Sequence, residues 1–223
     1  MTILPSLMNE WHETPTVGRR VVFFGSSNTE LAAHNLGRHS WSCWVEIALR
    51  SYVGKHIITA NAGIGGETVY QLRQRVDRDV LPIRPDLVIV TIGGNDRWQL
   101  SPAQYRRQMG QLVDTLKASG TLPVLQTYYS LLMEDENQPM EMLTPYMDAK
   151  REVAQEAGVP CIDSYPIMHR WHQADPDGYR ALMLDPGHLN PTGHAVYGRL
   201  CSEAFGVFDL PLPEDLPTQP ALG

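Results

Sequence analysis

Ser27 stands in the run Phe24-Gly25-Ser26-Ser27-Asn28-Thr29, just after an apolar stretch and before a segment with room for a helix. On a strand-to-helix turn a serine can project its hydroxyl from a sheet edge while its own backbone N–H points toward the same spot, which is a nucleophile's position. The hydroxyl is weak near neutral pH unless a base takes its proton. His188 is the candidate base, and Asp185 precedes it by three residues in Asp185-Pro186-Gly187-His188. In a turn-like loop that spacing lets a carboxylate accept from one imidazole nitrogen while the other nitrogen faces the serine. Attack on a carbonyl also creates an oxyanion. The backbone N–H groups of Ser27 and Gly66 and the side-chain amide of Asn95 could supply three donors to it.

Residues so far apart in the chain act together only if regular elements return them to one edge. Apolar, β-rich runs at 21–24, 57–60, 87–92 and 122–127, with a weaker one at 159–162, read as strands. Helix-like patterns at 40–51, 68–80, 102–118 and 145–157 fill the gaps, and a last helix is expected over 192–205. Such alternation implies a parallel sheet with helices on both faces, and runs apolar throughout suit strands buried on both sides. The expected fold is a three-layer α/β/α sandwich on a five-stranded parallel, flavodoxin-like sheet. Ligands bind such sheets beyond the carboxyl ends of the strands. That edge is where Gly25 to Thr29, Asn61 to Thr68 and Gly93-Gly94-Asn95-Asp96 fall.

Composition narrows the partners. The chain has 223 residues, 43% of them apolar, so it can bury a core without metal or disulfide. With 18 basic against 25 acidic residues, a formal charge of −7 and no basic stripe, nucleic acid is excluded as a partner. Cys43, Cys161 and Cys201 are odd in number and widely spaced, which argues against a disulfide framework or a zinc knuckle. No apolar run approaches the ~20 residues of a membrane span, and Pro5, Asn9 and Glu10 interrupt the first apolar stretch. A cytoplasmic protein without membrane insertion is expected, with residues 1–20 as an N-terminal extension and 21–208 as the domain. Residues 209–223 form a proline-rich tail that would lie over the surface or over a second copy of the chain, so a homo-oligomer stays open.

The loops at 25–27, 66–68, 93–96 and 185–188 together resemble the SGNH (GDSL-type) hydrolase family, which carries a serine, a glycine, an asparagine and a histidine in that chain order. Gly25-Ser26-Ser27 is similar to the family's Gly-Asp-Ser block, Gly66-Glu67-Thr68 to its glycine block, Gly93-Gly94-Asn95-Asp96 to its Gly-x-Asn-Asp block and Asp185-Pro186-Gly187-His188 to its Asp-x-x-His block. The resemblance runs from Val21 to about Gly198. It implies a serine ester hydrolase working through an acyl-enzyme, with Ser27, Asp185 and His188 catalytic, Ser27, Gly66 and Asn95 as the oxyanion hole, and neither metal nor cofactor. One position departs from the pattern: Ser26 replaces the family's aspartate, and the register Gly-x-Ser-x-Thr keeps Ser27 as the nucleophile.

Other readings explain less. A flavodoxin-like FMN-binding module would use Gly25 to Glu30 as a phosphate cradle at a helix N-terminus, but leaves Asn95 and the Asp185/His188 pair without a role. A dinucleotide fingerprint at Gly63-x-Gly65 finds Thr68 where its third glycine belongs. His194 reads as part of the last helix, and His169 and His172 lack a third ligand at metal-site spacing. Within the family the substrate ranges from lipids and thioesters to acetylated sugars. Trp98, Tyr128, Tyr129 and Trp171 fall on or near loops that could border the site and stack on a sugar ring, or they could pack in the core. The segment 128–144, apolar at its ends and acidic at its centre, could narrow an acyl pocket or pack onto the core. The expectation is a short-chain, acetyl-selective esterase acting on a carbohydrate ester, with a lipid acyl hydrolase or thioesterase as the alternative.

Overall fold

Valine, leucine, isoleucine and phenylalanine fill β1 (Arg19–Gly25) and β3 (Leu87–Thr91) because both strands are covered on both faces; every residue of β3 is buried. The computed structural model describes residues 3–30, 37–132 and 140–208. In it five parallel strands stand in the order β2-β1-β3-β4-β5, with β2 at Ile57–Gly63, β4 at Leu122–Gln126 and β5 at Cys161–Ile162. Helices α2 (Trp41–Tyr52) and α8 (Pro191–Ala204) pack together, and α1 (Ile3–Glu13) packs on α2. Helices α3 (Val69–Asp79), α4 (Pro102–Ala118) and α5 (Thr144–Ala157) pack in sequence. Right-handed crossovers place these two groups on opposite faces of the sheet. The chain leaves β1 toward β2, then crosses back to β3, so the order reverses between β1 and β3. That reversal opens the crevice in which such sheets bind ligands.

The helices start where local chemistry dictates. Ser101 and Gln104 form a reciprocal cap on α4, the Gln104 N–H donating to the serine hydroxyl at 3.3 Å and the Ser101 N–H to the glutamine side chain at 2.8 Å. Asn190 caps α8 by accepting from the Gly193 N–H at 3.0 Å, with Pro191 as first residue. His194 lies inside that helix, fully buried, where its Nδ1 accepts from the Trp41 N–H at 3.2 Å and joins α8 to α2.

Several elements exceed what the periodicity indicates. β2 continues to Gly63 because Asn61, which reads as loop, spends its amide on the Thr29 carbonyl and the Ser42 hydroxyl and its oxygen on the Gly63 N–H. α1 buries Leu4, Met8 and Trp11 in the core, so part of the segment read as an extension completes the α2 side. After β5 come α6 (Tyr165–Ala174), α7 (Pro176–Arg180) and an antiparallel pair, β6 (Met183–Asp185) with β7 (His188–Leu189). No helix among the described residues is long and apolar enough to cross a membrane. The tail, 209–223, lies outside the described residues.

Candidate active site

β1 ends at Gly25, where only glycine fits: a Cβ there would collide with the Thr29 hydroxyl and the Thr91 carbonyl of the neighbouring strand. The chain then turns tightly, the N–H groups of Thr29 and Glu30 both donating to the Ser26 carbonyl at 2.9 Å. At this turn Ser27 Oγ lies 2.9 Å from His188 Nε2. On the other side of the ring, His188 Nδ1 lies 2.9 and 2.8 Å from the two carboxylate oxygens of Asp185. The β6–β7 hairpin makes this contact possible, since Asp185 and His188 stand directly opposite each other across it. Asp185 Oδ1 also accepts from the N–H groups of Gly187 at 2.8 Å and His188 at 2.9 Å. Partial burial works to raise the Asp185 pKa, but the Gly187 N–H and the imidazole outweigh it and hold the carboxylate below its ordinary value. A carboxylate fixed in this way keeps a proton on Nδ1 and leaves Nε2 able to accept from the serine.

The nucleophile turn and the histidine hairpin are tied directly by Asn28, a residue the motif reading passes over. Its amide donates to the Tyr128 hydroxyl at 2.8 Å and to the Gly187 carbonyl at 3.2 Å, while its oxygen accepts from the Leu189 N–H at 3.2 Å. The Tyr129 hydroxyl donates to the same Gly187 carbonyl at 2.6 Å. The signal available in sequence is only adjacency to Ser27.

The expected oxyanion donors gather on the α3 side. Gly66 has φ +78°, a left-handed conformation suited to glycine. Asn95 gives one amide hydrogen to the Glu67 carbonyl at 2.9 Å, which fixes the plane of the amide next to Gly66 and leaves its second N–H for another acceptor. Beneath them lies Arg75, almost fully buried. Its guanidinium donates to the Glu67 carboxylate at 2.6 Å, the Ala62 carbonyl at 2.8 Å, Asp79 at 3.1 Å and the Gly25 carbonyl at 3.2 Å. One cation thus joins the ends of β1 and β2 to the residue that holds Asn95. Its position carries a sequence signal: in α3 the buried stripe is Val69, Leu72, Arg75 and Val76, so helical spacing puts this arginine on the apolar face.

Two more buried charges support the Asn95 loop. Asp96 Oδ1 accepts from the Val69 N–H at 2.8 Å, and Lys150 Nζ donates to the carbonyls of Ile92 at 2.6 Å and Gln126 at 2.7 Å, at the ends of β3 and β4. Burial raises the Asp96 pKa to about 6 against the opposing Val69 N–H and the Lys150 charge. Burial also lowers Lys150 to about 7.

Of the four aromatics read as possible substrate contacts, three are buried. Tyr128 and Tyr129 stack at 4.5 Å, the first accepting from Asn28 and the second donating to the hairpin at Gly187, and Trp171 packs edge-on to Tyr179 in the core. Their rings are spent on packing, so they present no face to a sugar. Trp98 is different, with 53% of its surface exposed. Leu131, Leu132 and Leu143, from the ends of the 128–144 segment, are buried in the core, while residues 133–139 at its centre lie outside the described residues. His169 and His172 both meet the Ser130 hydroxyl, at 3.3 and 3.0 Å. Among the described residues no group of three or more His, Cys, Asp or Glu side chains is clustered for a metal ion.

Comparison with known proteins places this geometry. A model of the GDSL-like Lipase/Acylhydrolase family matches residues 23–196, which span all four loops, the supposed flavin-phosphate cradle included. The chain is 25% identical to the uncharacterized lipoprotein YqeF of Bacillus subtilis (strain 168), over 78% of this chain and 81% of that protein. It is 24% identical to an acetylxylan esterase of Geobacillus stearothermophilus, over 85% of this chain and 94% of the esterase. The crystal structure of that organism's acetylxylan esterase Axe2 superposes with a TM-score of 0.72 at 23% identity, covering 85% of this chain and 95% of Axe2. A GDSL-like lipase structure from Parabacteroides merdae ATCC 43184, itself described only as putative, gives 0.74 at 21% identity, covering 86% and 97%. Forms of Axe2 described as catalytic mutants replace a serine, an aspartate and a histidine, the last two three residues apart.

Proposed function

Since the chain belongs to the GDSL-like lipase/acylhydrolase family and is a carboxylic ester hydrolase, we propose that it removes short acyl groups, acetyl above all, from a carbohydrate ester through an acyl-enzyme on Ser27. The observation that carries this reading is the continuous contact from Ser27 Oγ through the His188 ring to Asp185. Ser27 Oγ attacks the ester carbonyl carbon as its proton passes to His188 Nε2, and the resulting imidazolium is stabilised by Asp185. The oxyanion takes hydrogen bonds from the N–H groups of Ser27 and Gly66 and from the second amide hydrogen of Asn95. Collapse breaks the bond to the alcohol oxygen, which receives the proton from His188. A water molecule, deprotonated by the same histidine, then attacks the acyl-enzyme, releasing the carboxylic acid and free Ser27.

The preference for acetyl is supported by similarity along most of the chain to an acetylxylan esterase. It predicts a definite profile over acyl length. Each methylene that fits an apolar pocket would add up to ~0.8 kcal/mol of binding, so an open groove gives kcat/KM climbing with chain length. For this protein the highest kcat/KM is expected with acetyl or propionyl aryl esters, with a steep fall by octanoyl, and acetylated oligosaccharides should be deacetylated. A rise through octanoyl would replace this reading with a lipid acyl hydrolase.

A further inference from the structure

Arg97 follows Asn95 by two residues, in the single turn Asp96–Trp98 at the catalytic edge of the sheet. That turn is held firmly. The Tyr146 hydroxyl donates to the Leu100 carbonyl at 2.5 Å and approaches the Arg97 carbonyl at 3.5 Å, and Gly94 packs against the Tyr128 ring. The Arg97 guanidinium lies 4.6 Å from the centre of the exposed Trp98 ring. Among the described residues it makes no ion pair and no hydrogen bond, and its Nε is buried without an acceptor. The turn follows Asn95 directly, and Gly94 beside it packs on Tyr128, whose hydroxyl holds Asn28, so Arg97 stands on the side of the active site.

A half-buried guanidinium with no counter-ion is costly, since desolvation is not offset by any partner. Burial indeed pushes its pKa below the usual arginine value. Among the described residues the carboxylates of the site face other groups, Glu67 pairing with Arg75, Asp185 with His188, and Asp96 Oδ1 accepting from the Val69 N–H. Arg75 and Lys150 are equally committed as donors. Arg97 is thus a planar fork of donors placed beside Asn95 and backed by an aromatic face, in a protein whose formal charge is −7.

We infer that Arg97, with Trp98 beside it, is an anion-recognising rim that selects esters whose alcohol part carries a carboxylate. The fork matches a carboxylate in two-point geometry, and the free face of Trp98 suits the ring of a sugar acid. This inference rests on the ester-hydrolase reading of Ser27 and deepens it by naming the chemistry of the alcohol.

The test is a ratio of kcat/KM within each form of the protein, for an acetylated methyl glucuronide against the corresponding acetylated methyl glucoside. Wild type should prefer the uronate by about tenfold to a hundredfold, mainly through KM, the range of one charge-assisted pair. That preference should shrink as salt rises from about 50 to about 500 mM. In Arg97→Gln the ratio should fall to near one, and in Arg97→Lys to a value between, because charge remains but the fork is lost. Comparing ratios cancels any general loss of active protein. O-acetyl-lactate against acetylated propanol separates the sources: a preference for the carboxylated member equal to that for the uronate assigns a simple hydroxy acid, and a smaller one assigns a sugar acid read partly by Trp98. A wild-type ratio near one, or an Arg97→Gln ratio equal to wild type, overturns the inference while leaving the esterase reading intact. Failure of the wild type to hydrolyse any of these esters, with Ser27 unlabelled by a serine-reactive phosphonate, would instead overturn the esterase reading.

Discussion

Ser26 and Ser27 are neighbours with the same side chain, and their surroundings separate them. Ser26 is 1% exposed and its carbonyl closes the turn, whereas Ser27 turns its hydroxyl to His188 at 2.9 Å. Ser27→Ala should therefore lower kcat for an aryl acetate by on the order of 10³-fold or more, and Ser26→Ala should keep most of the activity. A phosphonate adduct mapped to Ser26 by peptide mass spectrometry would reverse the assignment. For Asn95 the expected change is a loss of about 10²–10³-fold in kcat with little change in KM, because an oxyanion exists only after attack. A rise in KM alone on Asn95→Ala would make it a ground-state binding residue. The sequence nominated Ser27, Asp185 and His188 as one group, and the structure brings them into contact. It could not show that one hydrogen of Asn95 is already committed to the Glu67 carbonyl, because that depends on how the β2–α3 and β3–α4 loops approach each other.

At the scale of elements, the loops after β1, β2 and β3 are kept in mutual register by a helix as well as by direct hydrogen bonds such as that of Asn95 to the Glu67 carbonyl. Arg75 reaches from the buried face of α3 to the Gly25 and Ala62 carbonyls and to Glu67, so it should set the spacing of the nucleophile turn, Gly66 and Asn95. Replacing it with methionine removes the donor to the Glu67 carboxylate and to the Ala62 carbonyl, while the Gly25 carbonyl keeps the Ile64 N–H. Breaking a buried pair in this way costs about 3–5 kcal/mol, which for a domain of this size is a fall in Tm of about 6–20 °C. A thermal melt measures that part. Steady-state kinetics below the melt should in addition show kcat reduced by about tenfold or more with KM little changed, and Arg75→Lys should recover part of kcat. Unchanged kcat in folded Arg75→Met would confine Arg75 to stability. Strand and helix periodicity made the sheet and five of its helices readable, α2 to α5 and α8, but α6, α7 and the β6–β7 hairpin carry no comparable period in their short, mixed sequences. The hairpin nevertheless delivers His188.

For the molecule as a whole, buried ionisable groups beneath the site link stability to pH. Asp96 titrates near its ordinary value of 3.8 when unfolded and, raised by burial, at about 6 when folded. Between about pH 4 and pH 6 the folded state therefore binds more protons than the unfolded chain, and stability from this group falls as pH rises. Asp185, held below its ordinary value, acts in the opposite sense but below about pH 4. Lys150, lowered from 10.5 to about 7, acts only above pH 7, where stability rises with pH. The window between pH 4 and 6 thus belongs to Asp96 among these three. Urea unfolding should show wild type losing stability relative to Asp96→Asn by up to about 3 kcal/mol across it. Parallel curves for the two proteins would show that Asp96 stays ionised throughout.

The sequence by itself determined the alternation of strands and helices, the edge at which the four loops meet, and the residue types able to perform acyl transfer, because periodicity and strand-end position are local properties of the chain. Tertiary structure decided what burial and contact decide. It spent Tyr128, Tyr129 and Trp171 on packing, left Trp98 exposed, carried Arg75 and Lys150 inside the fold, and set Arg97 at the edge without a counter-ion among the described residues. A tyrosine or an arginine has the same formula on a rim as in a core, and only the surfaces packed against it determine which of its groups remain for a substrate.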